Sequence, residues 1–276
     1  MATLNAKKRI LTLTTLFTWG LLALPLQSLA GNAIANLEYQ IIDQQPHPKG
    51  LFTQGLLVDG PWIYESSGGY GRSSLVRYKS SDSSMLVEMP LPKNIFAEGL
   101  TLLNDRFYLL TWRAGKMLVF DRNWNPLARH DYKGEGWGLT HDGEHLIMSN
   151  GTDEITFFTT RPFKAVKAIK LHGGERRWSA INELEYANGI LWANRWFSDD
   201  VLAIDPNTGE VLARLDFSDI AKQFRVGRGA REKVLNGLAW SEPDQAMWLT
   251  GKYWDRRFLV KFPATLEEIT LPTAER

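Results

Sequence analysis

Five stretches of this chain place residues able to do chemistry at one repeated position. They are FTQGL (52–56), FAEGL (96–100), EGWGL (135–139), AINELE (180–185) and VLNGLAW (234–240). Aligned on their leucines, Gln54, Glu98, Trp137, Asn182 and Asn236 fall in one column, and Glu98 is its only acid. A ring of polar and aromatic groups facing one another marks a site and not a core. Glu183 and Glu185 are weaker candidates. Strand neighbours alternate in direction, so one of the two is expected to point away from the axis that Asn182 faces.

The elements that must hold this column can be read from its spacing. The leucines at 56, 100, 139, 184 and 238 are separated by 44, 39, 45 and 54 residues. Strand-rich repeats of that length point to a β-propeller. After each motif comes a second apolar run (PWIYESS, RFYLLTW, HLIMSN, ILWANRW, AMWLTGK) and a third (SLVRYK, MLVFD, EITFF, DVLAID, RFLVKF). Four repeats add a fourth: SMLVEMPL, PLARHDY, AVKAIKL and EVLARLDF. These runs are short, rich in β-branched and aromatic residues, and bounded by Gly, Asp, Asn and Pro, which is the strand signature. The expected fold is all-β, a five-bladed propeller of four-stranded antiparallel blades. The fifth repeat lacks one strand. LEYQIIDQ near the N-terminus is the expected donor and would close the ring, with LEEITLP near the C-terminus as a rival. The first strand of each blade lines the axis, so the column should converge at one end of a central channel.

The chain has 276 residues, 44% of them apolar, enough for a large core. Its 32 Lys and Arg nearly balance 31 Asp and Glu, which argues against a nucleic-acid surface. Lys7–Arg9, the apolar run from Ile10, and SLA ending at Ala30 read as a cleaved signal peptide over residues 1–30. A retained anchor is the alternative. Residues 31–276 are then expected to form a single propeller domain in the periplasm or outside the cell. The protein is expected to be a monomer with no stable membrane association after cleavage. There is no cysteine, so neither a lipoprotein anchor nor a disulfide framework is available. The five histidines are scattered. His141 and His145 are four apart, but they flank a DGE turn and not a helix, so no metal site is expected.

FTQGL, YESSGGYGRSSLVRY, FAEGL, INELE, LWANRW, VLNGLAW and LTGKYW resemble, in order, the motifs of the plant and bacterial glutaminyl-peptide cyclotransferases. The resemblance runs from about Leu37 to Phe262. It implies a five-bladed propeller, an activity without cofactor or metal, and peptides or proteins with N-terminal glutamine as partners. It further implies that Glu98 is catalytic, as a proton shuttle. Gln54, Asn182 and Lys252 match positions that surround the substrate. Trp112, Trp137 and Trp196 match pocket walls, with Phe52 beside them. Trp62, Trp192, Trp240 and Trp248 lie inside apolar runs and read as core. Two departures stand out: Ser-Gly-Gly in ESSGGYGRSS, and a short junction at YKGEGWGL. A non-catalytic propeller that binds or scaffolds is the alternative function, and it has no need of this residue set. A calcium-dependent lactonase on a related propeller would need several oxygen ligands around a hard cation, and the column offers one acid.

Overall fold

A computed structural model describes Met1, residues 34–174 and residues 177–270. The rest of the expected signal segment lies outside the described residues. The chain opens with β1 (Ala35–Leu37) and β2 (Gln40–Pro46). Blade one is β3 (Thr53–Asp59), β4 (Trp62–Ser67), β5 (Ser74–Lys79) and β6 (Met85–Pro90). Blade two is β7 (Ala97–Leu103), β8 (Arg106–Thr111), β9 (Lys116–Phe120) and β10 (Pro126–Asp131). Blade three is β11 (Leu139–His141), β12 (Leu146–Ser149), β13 (Glu154–Thr160) and β14 (Phe163–Lys170). Blade four is β15 (Ile181–Ala187), β16 (Ile190–Arg195), β17 (Asp200–Ile204) and β18 (Val211–Asp216), followed by the single turn α1 (Ser218–Ala221). Blade five contributes β19 (Leu235–Ser241), β20 (Ala246–Gly251) and β21 (Arg256–Lys261), and α2 (Leu266–Thr270) follows.

The missing strand of blade five is β2, which pairs antiparallel with β21 from Gln40 opposite Lys261 to Pro46 opposite Arg256. LEEIT, the rival segment, is the helix α2 and closes nothing. Closure is locked just past β2. His47 Nδ1 meets the Trp254 carbonyl at 2.8 Å and His47 Nε2 meets Glu65 of blade one at 2.9 Å, while the Tyr78 hydroxyl donates to the same carboxylate. One strand escaped the sequence pattern. β1 adds to blade four as a fifth strand, parallel to β18.

Five apolar clusters hold the ring, one between each pair of neighbouring blades. The motif leucines supply one knob each: Leu56, Leu100, Leu139, Leu184 and Leu238 are all buried. Truncating such a side chain to alanine costs about 2–5 kcal/mol. The glycine before the leucine has a separate role, because around the axis the first strands nearly touch. A Cβ on Gly55 would collide with the backbone nitrogen of Leu100, and one on Gly99 with that of Leu139. In the fourth repeat this position is Glu183. Trp192 and Trp248 are core, as expected, whereas Trp62 and Trp240 are only partly buried against it.

Candidate active site

Four of the five first strands break register at the motif. The shifts fall between Thr53 and Gly55, Ala97 and Leu100, Ile181 and Leu184, and Leu235 and Leu238. A bulge bends its strand and re-aims the residue within it. That residue is Gln54, Glu98, Asn182 or Asn236. Trp137 stands just ahead of β11 and needs no bulge. Hydroxyls at the ends of second strands pin the bulged backbone from the preceding blade. Ser66 Oγ donates to the Glu98 carbonyl at 2.5 Å, and Ser149 Oγ to the Asn182 carbonyl at 2.6 Å.

A second set arrives on the residue immediately after the second strand. Trp112 follows β8, Trp196 follows β16 and Lys252 follows β20. The two sets meet in one cavity of about 220 Å³, lined by Phe52, Gln54, Phe96, Glu98, Trp112, Trp137, Asn182, Trp196 and Lys252. Every residue assigned to the site from the sequence is present. Asn236 is not. Its side-chain amide donates to the Thr53 carbonyl at 2.9 Å and ties blade five to blade one. The volume is below the roughly 300–1,000 Å³ of sites that hold drug-sized ligands, and fits one short side chain.

The cavity is layered. Gln54, Glu98, Asn182 and Lys252 form a floor with 3–5% of each residue exposed. The aromatic residues stand above it, Trp196 reaching 41% exposure. Phe52 meets Phe96 edge to face at 6.2 Å, Phe96 meets Trp112 at a tilt at 5.3 Å, and Trp137 meets Trp196 edge to face at 5.3 Å. Glu135 joins the two halves of this wall. Its Oε2 accepts both the Trp112 indole N–H at 2.8 Å and the Trp137 indole N–H at 3.0 Å, while Oε1 accepts from Arg113 at 3.0 Å. Burial alone would raise the Glu135 pKa, but these bonds and the Arg113 charge hold it below the usual carboxylate range. Sequence reasoning missed Glu135, which looks like a loop acid, and also Phe96. The latter had a signal: it stands two residues before Glu98, as Phe52 stands two before Gln54.

Burial pushes the Glu98 carboxyl well above the usual range. The Lys252 charge opposes this and the Glu135 charge adds to it. Lys252 moves the other way, lowered by burial to about 8 against the pull of Glu98, with its ammonium 4.4 Å from the Phe52 ring centre. Two acceptors on the floor, Gln54 Oε1 and Asn182 Oδ1, are buried without a hydrogen-bond partner, a state that favours a ligand bringing N–H groups. The site can therefore hold a flat amide between indoles, offer it acceptors and a cation, and exchange a proton with it near neutral pH.

Glu183 and Glu185 do not line the cavity, and neither turns away from the ring. Two residues apart, they share a strand face. Glu183 accepts the Leu238 N–H and Glu185 the Trp240 N–H, each at 2.8 Å, both on β19. Among the described residues no three His, Asp or Glu side chains are grouped to hold a metal ion.

The family model described as glutamine cyclotransferase matches residues 13–262. The chain belongs to the glutamine cyclotransferase family. A family member from Arabidopsis thaliana, glutaminyl-peptide cyclotransferase, is 32% identical over 230 residues, which is 81% of this chain and 71% of that protein. The crystal structure of Myxococcus xanthus glutaminyl cyclase superposes with a TM-score of 0.76 at 34% identity, covering 83% of this chain and 98% of that one. That solved structure shares the fold of this chain.

Proposed function

We propose that this protein is a glutaminyl-peptide cyclotransferase, converting the N-terminal glutamine of peptides and proteins to pyroglutamate with release of ammonia. The observation that carries this reading is Glu98, a carboxyl buried at the floor of a one-residue cavity, beside Lys252 and beneath indole walls. The α-amine attacks the side-chain amide carbon of its own residue, the ring closes, and the amide nitrogen leaves as ammonia. Both reacting groups belong to one residue, so the protein has only to fold that residue into a near-attack conformer. A free α-amine has a pKa near 8, so part of it is already neutral at working pH.

Glu98 carries the proton from the attacking nitrogen to the leaving one. A carboxyl with an ordinary pKa would be a poor acid at pH 7, and one raised by burial serves in both directions. The Lys252 ammonium faces the amide oxygen as negative charge grows on it, an electrostatic role usually worth several kcal/mol. Gln54 Oε1 and Asn182 Oδ1 accept the N–H groups of the two nitrogens and fix which face of the amide meets the amine. Trp112, Trp137, Trp196 and Phe52 hold the bent side chain and exclude water that would weaken the charge interactions. The same reading takes residues 1–30 as a signal peptide and the mature protein as a monomer in the periplasm or outside the cell, acting without metal or cofactor.

The test is direct. Purified protein, with EDTA present, is incubated with a peptide bearing N-terminal glutamine and with its N-acetylated counterpart. Ammonia and an equal loss of mass are expected from the free peptide alone. No turnover of the free peptide would contradict the proposal.

A further inference from the structure

The one-residue cavity leaves the rest of the peptide to be accommodated at its mouth. There a second hollow of about 330 Å³ opens, sharing Phe52, Phe96, Trp196 and Lys252 with the first. Consecutive Cα atoms are about 3.8 Å apart, so the residue after the N-terminal glutamine is the first to enter it. The far side of this hollow carries Arg72 and Arg231, with Glu232 as its only carboxylate. Both arginines are exposed, and among the described residues neither is paired with an acid. They lie over rings instead: Arg72 at 6.0 Å from the Phe52 centre and 5.7 Å from that of Tyr253, Arg231 at 5.5 Å from that of Phe197.

Arg72 belongs to ESSGGYGRSS, the loop that departs from the expected pattern. The departure shapes the rim. Gly69 lies at φ 131°, and a Cβ there would strike the Arg72 side chain. The loop is held to the site wall, since Ser73 Oγ donates to the Gly69 carbonyl at 2.9 Å and accepts the Ala97 N–H at 3.0 Å. The backbone on either side of Arg72 is thus tied to the strand that carries Glu98. A guanidinium kept in place over an aromatic face retains its donors for a carboxylate.

We propose that this hollow is a subsite for the second residue of the substrate and that Arg72 and Arg231 make it select an acidic side chain there. The inference rests on the glutamine-cyclising reading of the inner cavity and adds which peptides are taken best. The test uses peptides Gln-X-Ala-Ala with an amidated C-terminus, X being Glu, Ala or Lys, so that X carries the only variable charge. The expected order of kcat/KM is Glu, Ala, Lys. Exposed ion pairs are weak, so the Glu-to-Lys ratio at low salt is expected to be roughly tenfold, carried by KM. It should shrink towards unity at about 0.5 M salt, where such charges are screened. The double variant Arg72→Ala with Arg231→Ala should lose the ratio, and Arg72→Lys with Arg231→Lys should keep most of it.

Equal kcat/KM for the three peptides would overturn the subsite and leave glutamine cyclisation standing. A preference that survives in the double alanine variant would overturn the assignment to these arginines. No turnover of any of the three would instead overturn the reading on which the inference rests.

Discussion

Adjacent positions of the repeated motif carry two buried glutamates with different fates. Glu98 stands in the column that faces the cavity, and Glu183 fills the position that is glycine in the other four repeats. Burial raises both far above the usual carboxylate range. They differ in what surrounds them. Glu183 spans to the next blade and accepts the Leu238 N–H. Glu98 faces indoles and Lys252, and the influences on its titration are burial and the charges of Lys252 and Glu135, with no hydrogen bond among them. A perturbed pKa therefore does not by itself mark a functional acid. Open space for a reacting group beside the carboxyl does.

That contrast can be broken in stages. The largest effect is expected at Glu98. Glu98→Gln preserves shape but cannot move a proton, and ammonia release should fall by roughly 10²–10⁴-fold with an unchanged circular dichroism spectrum. Lys252→Met should follow, with kcat lower by roughly 10²-fold if its charge meets the developing oxyanion. Glu135→Gln comes next. Charge-assisted hydrogen bonds are worth about 1.5–3 kcal/mol, and loss of part of that from Trp112 and Trp137 should lower kcat/KM roughly tenfold and shift tryptophan fluorescence. Glu183→Gln should change kcat less than about threefold, because residue 183 does not line the cavity and the amide oxygen still accepts the Leu238 N–H. Glu183→Ala should instead cost about 1–3 kcal/mol in urea unfolding by orphaning that donor.

The smallest effect concerns stability and pH. Glu98 has a higher pKa folded than unfolded, so above about pH 4 the unfolded chain loses this proton before the folded one does. Wild type should therefore lose stability relative to Glu98→Gln as pH rises from 4 towards the raised folded value. Urea midpoints at pH 4 and pH 7 check the sign.

Much of this was legible in the sequence because a propeller writes its geometry as repetition. Each blade repeats the same antiparallel strand order, and the axial column is visible once the leucines are aligned. Elements outside the repeat were not legible. β1 is three residues long and joins blade four through parallel backbone pairing, which leaves no side-chain period. LEEITLP has a strand-like composition, but Thr265 and Glu268 cap LEEIT as a helix, the Glu268 N–H bonding Thr265 Oγ1 and Glu268 Oε2 accepting the Thr265 N–H. In the site, Asn236 sat in the right column, but its amide is taken by the Thr53 carbonyl at the blade junction. Glu135 lay outside the column, and its importance depends on two indoles 23 and 2 residues away that only folding brings to one oxygen.

The central claim is that burial raises Glu98 above the usual carboxylate range, so that it can both take and give a proton while glutamine cyclises. Infrared difference spectroscopy between wild type and Glu98→Gln, followed through a pH titration, reads that proton from the protonated-carboxyl stretch. If the cavity tunes Glu98 as described, the band persists above the pH range in which an ordinary carboxyl ionises and moves to still higher pH in Lys252→Met. A band that vanishes below pH 5 in wild type would contradict it.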